Sequence, residues 1–338
     1  MDHLEYQAQK TNEKKLRTTI NGTLGAVVAQ SGLMVVLVIF LSLFIGVVGG
    51  ITFAMKNQGL EGITDLIKNL TSTGNPEGLL INIFIYIFAL FIPYTVYLAI
   101  RKRKITDIIS FKLPKANELF IGISACLGFF VVGKYISNMI LFFLKTIGFP
   151  PNEPAIDTPT GIVGMILFTV LITVLPPIFE EFAFRGVVLG EAKKFNPYFA
   201  ILLSSVAFSL MHGTIQQIPY AFTVGLAMAY FVIKYNSIWI SVITHVIVNG
   251  VGTYFSFAEQ KFNEKTLGIL SVSVDALFVL LAVIAVVVFL GTSKLALPKS
   301  ENHLSFGSSV VNLLKSPLIY IFVVVSAVLT FMSGYMNG

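Results

Sequence analysis

The stretch GLMVVLVIFLSLFIGVVGGITFAM, residues 32–55, carries no charged side chain. A helix of about 20 apolar residues crosses the hydrocarbon core of a bilayer, and this run reaches that length. It is too long for the apolar core of a secretory signal. About thirty largely polar residues precede it, so the chain reads as carrying no short cleavable signal. Comparable runs recur near 79–100, 119–144, 161–182, 198–212, 217–233, 238–257, 267–290 and 316–336. In lipid the backbone must satisfy its own hydrogen bonds, which predicts helices. A membrane barrel would alternate polar and apolar residues over shorter segments, and no such alternation is visible. The expected fold is an all-α, polytopic transmembrane helix bundle of about nine spans.

Composition agrees. Of 338 residues, 55% are hydrophobic and 12% charged, against about 25% charged in a soluble domain. No soluble core could hide that much apolar surface, so lipid is the solvent for most of the chain. The net charge of +6 points to cytoplasmic loops and anionic lipid rather than to nucleic acid. The one cysteine, Cys126, lies in an apolar run and cannot form an internal disulfide. With a cytoplasmic N-terminus, the N-terminal tail and the loops 101–118, 183–197, 234–237 and 291–315 hold 17 Lys and Arg residues, and the opposite segments hold 5. That asymmetry follows the positive-inside rule and puts the C-terminus outside the cell membrane. The layout is a cytoplasmic tail at 1–31, accessory spans and a loop at 32–118, a core at 119–257 and further accessory spans at 258–338. Two outer loops fall at 56–78 and 145–160.

Ionisable groups inside spans cost roughly 2.5–3.5 kcal/mol each on insertion scales, so their positions are informative. They concentrate between residues 180 and 249. In Phe179-Glu180-Glu181-Phe182-Ala183-Phe184-Arg185, Glu181 and Arg185 are four apart and share a helix face. Glu180 points about 100° away. One carboxylate is thereby neutralised while the other faces elsewhere, as acid–base chemistry needs. A boundary salt bridge beside a solvated Glu is the plainer alternative. In Phe208-Ser209-Leu210-Met211-His212 the His closes an apolar run, where a hydrogen-bonded structural role is the alternative. In His245-Val246-Ile247-Val248-Asn249 two hydrogen-bond donors share one face, and interhelical glue is the alternative. Glu180 falls near the cytoplasmic end of the fourth span. His245 lies about 10 Å into the seventh, and His212 is deeper. Lys134, inside the third span, is expected to face a cavity or snorkel.

Glu-Glu-x-x-x-Arg, Phe-x-x-x-His and His-x-x-x-Asn, in this order on successive spans, resemble the CPBP family. That family includes type II CAAX prenyl endopeptidases and the bacteriocin-processing or self-immunity proteins called Abi. The resemblance covers roughly residues 119–257. It implies a helical intramembrane endopeptidase acting on a membrane-associated protein or peptide. By resemblance, Glu180 activates the attacking water with help from His212. His245 and Asn249 stabilise the oxyanion, while Glu181 and Arg185 position the first helix. The residue types suit those roles. Metal-independent chemistry is favoured. Zinc is the other option, with Glu180, His212 and His245 as ligands. Neither His-Glu-x-x-His nor Gly-x-Ser-x-Gly occurs. The rival functions are a non-catalytic regulator or immunity scaffold of the same fold, and a transporter, although no repeated halves are detectable.

Overall fold

Lipid offers backbone groups no partner, and helices answer that constraint throughout. The computed structural model describes residues 3–55, 69–70, 72–151, 157–292, 295–300 and 302–335. Among them are helices and turns and no strand. In chain order the helices are α1 (His3–Met55), α2 (Pro76–Ile100), α3 (Ala116–Thr146), α4 (Ile162–Ala192), α5 (Pro197–Leu210), α6 (Gln217–Tyr235), α7 (Trp239–Ala258), α8 (Glu264–Thr292), α9 (Phe306–Leu314) and α10 (Pro317–Tyr335). All but α5 and α9 are long and apolar enough to cross a membrane. The 14 residues of α5 reach about 21 Å. The chain is thus a multi-pass membrane protein, with eight full-length helices and the shorter α5 where nine runs are legible. The expected loops 56–78 and 145–160 lie partly outside the described residues, as do Lys56, Lys68 and Lys294.

Local chemistry sets the boundaries. Asn75 and Asn196 cap α2 and α5 by accepting from the N–H of Gly78 and Phe199, and a proline follows each cap where no N–H is needed. Asn236, with φ at 48°, closes α6 in the left-handed conformation.

The basic segments gather at one end of the bundle. The N–H of Ile238 donates to the Ser110 carbonyl at 3.1 Å, and those of Asn302 and Leu304 donate to the Lys194 and Phe195 carbonyls, each at 3.0 Å. The Trp239 indole donates to Phe111 O at 2.9 Å. Glu191 pairs with Arg103 at 3.3 Å and Lys194 at 3.2 Å. Burial, with Lys194 beside it, holds the Lys193 ammonium below its ordinary range. The start of α1 joins this end where Ser308 Oγ donates to Glu13 at 3.0 Å. At the opposite end Gln260 bonds Thr158 and Tyr335 bonds Phe149 O.

Three features differ from the sequence reading. The polar N-terminal stretch is helical and partly packed: α1 runs unbroken from His3, and Leu16, Ile20, Leu24 and Val27 are fully buried in the main core. Their spacing makes a single helix stripe, which the surrounding polar residues mask. The fourth span does not stop at 182 but continues to Ala192, because Phe184, Val187 and Val188 pack into the same core. Arg185, assigned above to an inner loop, is therefore a buried intrahelical group. Lys134 neither lines a cavity alone nor snorkels: its ammonium lies 2.9–3.0 Å from both Asp275 oxygens and 2.9 Å from Ser271 Oγ, clamping α3 to α8. Asp275 is an intramembrane carboxylate that the reading of the spans did not single out. Small residues let α3 approach its neighbours, Gly133 lying against Tyr220 and Thr223 of α6 and Gly128 against Ala282 of α8.

Candidate active site

The site is built on a break in α4. Pro176 and Pro177 carry no N–H, so the carbonyls of Ile172 and Thr173 lose their usual donors four residues on. The helix widens into a π turn over Val170–Val174, with a second over Phe182–Val188. Such turns are frequent at functional sites. Helix α7 repairs the break with residues one turn apart. Asn249 Nδ2 donates to Ile172 O at 3.0 Å, and the Thr173 and Thr253 hydroxyls meet at 2.7 Å. The two glutamates follow on the next turn.

Glu181 and Arg185 are completely buried, with Arg185 Nη1 3.1 Å from Glu181 Oε1. That same oxygen lies 2.9 Å from His245 Nδ1. The guanidinium stacks over Phe208, 4.0 Å from the ring centroid, and Nη2 lies 3.8 Å from Met228 Sδ. The Phe208 ring also meets His212 and His245 edge-on, at centroid separations of 4.8 and 5.6 Å. Phe208 is therefore the hub on which the cation and both imidazoles are set. Glu180 turns the other way. Its Oε1 accepts a hydrogen bond from the Tyr86 hydroxyl of α2. Its Oε2 is buried, has no hydrogen-bond partner in the protein, and lies 3.9 Å from His245 Nε2.

Hydrogen-bond partners fix the imidazole tautomers. His212 Nδ1 lies 2.8 Å from Phe208 O. A carbonyl only accepts, so Nδ1 carries the hydrogen and Nε2 presents a lone pair. His245 Nδ1 faces a carboxylate that already accepts from Arg185, so it donates as well. Its Nε2 then donates only when the ring is an imidazolium.

The structure brings Glu180, Glu181, Arg185, His212 and His245 together. The extension of α4 shifts Glu180 along the helix axis relative to its expected depth. Glu180 is 12 residues from Ala192, about 18 Å at the helical rise, rather than near the helix end. Asn249 is adjacent, with one amide hydrogen committed to Ile172 and the other uncommitted. Among the described residues, no three His, Cys, Asp or Glu side chains are arranged to hold a metal ion. Nothing in the sequence gives Phe208 or Tyr86 a role at the site, because an aromatic side chain in an apolar span carries no charge.

Residues 162–251, from the start of α4 to within α7, match the family model described as Type II CAAX prenyl endopeptidase Rce1-like. Over this stretch the chain is similar to that family. All seven residues of the three motifs fall within the matched stretch. The chain is 27% identical over 130 residues to the "Putative membrane peptidase YdiL" of Bacillus subtilis (strain 168), covering 37% of this chain and 52% of that protein. It is 26% identical over 149 residues to the "Membrane-embedded CAAX protease MroQ" of Staphylococcus aureus (strain USA300), covering 42% and 60%. The chain thus spans about half to three fifths of these relatives. No solved structure matches it. Helices α1 to α3 and α8 to α10 lie outside the matched stretch, yet α2 supplies Tyr86 to the site.

Proposed function

We propose that this protein is an intramembrane endopeptidase that hydrolyses a peptide bond of a membrane-associated protein or peptide with water activated by Glu180. One observation carries the reading: the buried, unpartnered Glu180 Oε2 facing His245 Nε2 at 3.9 Å. The gap is too long for a direct hydrogen bond, and a water bonded to both groups at about 2.8 Å fits it. Glu180 takes a proton from that water, and the hydroxide adds to the scissile carbonyl carbon. The carbonyl electron pair moves onto oxygen, where the second Asn249 amide hydrogen and a protonated His245 donate. Glu180 then passes its proton to the departing nitrogen as the C–N bond breaks, leaving a carboxyl group and an amine. His212 accepts from the water through its Nε2 lone pair. Glu181 and Arg185 hold His245 and the helix in place.

The names of the two relatives, a membrane peptidase and a CAAX protease, support the same class of reaction. The gathering of the basic segments at one end supports a cytoplasmic N-terminus and an outer C-terminus. The test is a comparison of new protein N-termini in membranes of cells expressing the wild type or Glu180→Gln at equal abundance. Termini that require Glu180 are expected. Identical sets from both would overturn the protease reading in favour of a non-catalytic scaffold. Chelation of the purified protein distinguishes the mechanisms. Cleavage unchanged by a strong zinc chelator is expected. Loss restored by Zn²⁺ would instead assign Glu180, His212 and His245 as ligands.

A further inference from the structure

Resting on that reading, we infer that Tyr86 is a positioning residue of the site, contributed by α2 from outside the stretch that matches the family. A carboxylate can rotate about its last bond, which turns its plane away from a partner. Here that plane is held. Tyr86 donates its hydroxyl to Glu180 Oε1, leaving Oε2 as the oxygen that faces His245.

The tyrosine is itself held. Leu79, Phe168 and Leu171 form a small buried cluster joining α2 to the first half of α4, and Ile83, Tyr86, Ile172 and Phe257 pack against it. One turn beyond, Phe91 meets Phe179 and Phe182 at centroid separations of 6.0 and 5.9 Å, gripping both sides of the glutamate pair. Helix α2 therefore approaches the site through packed aromatic contacts on either side of the Tyr86 hydrogen bond. The next polar group on the same side of α2, Tyr94, is spent elsewhere. Its hydroxyl donates to Gln30 of α1 at 2.7 Å. Tyr86 acts on the reaction through Glu180: it holds one carboxylate oxygen so that the other faces His245 and the water between them.

The consequence separates turnover from binding. Tyr86→Phe keeps the ring and its packing and removes one hydrogen bond to a charged group, which is worth roughly a ten- to hundredfold change. That change should appear in kcat with KM unaltered, measured in nanodiscs on an internally quenched peptide copied from the strongest Glu180-dependent cleavage site. Tyr94→Phe, the same change two turns along the same helix, should leave kcat as in the wild type. A second readout needs no substrate. Infrared difference spectra between the purified wild type and Glu180→Gln, recorded at one pH, isolate the band of the Glu180 side chain. Tyr86→Phe should shift that band and Tyr94→Phe should not. A band unmoved by Tyr86→Phe, or wild-type kcat in Tyr86→Phe alongside an inactive Glu180→Gln, would overturn this inference alone. An active Glu180→Gln would overturn the protease reading and this inference with it.

Discussion

Arg185 shows how much a single side chain carries here. It is the largest fully buried side chain among the described residues. Its charge is answered by Glu181 on one side and by the face of Phe208 on the other. Removing one partner of a buried pair leaves the other charge uncompensated, at a cost of about 3–5 kcal/mol. Arg185→Ala should therefore sharply reduce the folded fraction, read as the monodisperse peak in detergent chromatography. Arg185→Lys should recover only part of it, since an ammonium cannot stack on Phe208 and reach Glu181 in the same way. Glu180→Gln should elute like the wild type, because the Tyr86 hydroxyl can still donate to the amide oxygen. Equal yields of Arg185→Ala and wild type would refute the structural role of the pair.

At the level of helices, two devices hold the site together, and each makes its own demand. The proline break in α4 is stapled by Asn249 and Thr253 of α7. If Asn249 served only as a staple, Asn249→Ala and Thr253→Val would slow cleavage alike, each losing one interhelical bond of about 0.6 kcal/mol. An oxyanion donor predicts more. Asn249→Ala should slow cleavage roughly 10²–10³-fold, against a change of a few-fold in Thr253→Val, in kcat on the same peptide. The second device is the Lys134–Asp275 clamp between α3 and α8. Asp275→Leu leaves the half-buried Lys134 ammonium within the span without its counter-charge and should lower the melting temperature. Lys134→Met combined with Asp275→Leu should restore it, because apolar packing can replace an ion pair without loss. A double variant as unstable as the single one would mean that the clamp contributes more than charge pairing.

For the whole molecule, the testable statement is its direction in the membrane. The basic segments converge on one end through backbone and side-chain bonds, and Cys126 is buried and silent to reagents. Lys104→Cys therefore adds one exposed thiol at that end. A membrane-impermeant maleimide should fail to label it in intact cells and label it in inverted vesicles. Labelling in intact cells would reverse the orientation.

How far sequence reaches follows from the range of the forces involved. The apolar runs determine that the chain lies in lipid as helices, since solvent choice depends on local composition alone. The partition of Lys and Arg determines which loops share an end. Glu181 and Arg185 are legible as a pair because an i, i+4 contact lies within one helix. Other features depend on which helices pack together. The stripe Leu16, Ile20, Leu24 and Val27 is hidden among polar residues until a core exists to receive it. The continuation of α4 past 182, which sets the depth of Glu180, depends on Phe184 and Val187 finding that core. Lys134 and Asp275 are 141 residues apart, and nothing local marks them as partners. Tyr86 and Glu180 are 94 apart. The sequence determined which residues could do chemistry. The packing of α2 and α7 on the broken α4 decided that one oxygen of Glu180 is held and the other faces His245, because those contacts join helices far apart in the chain.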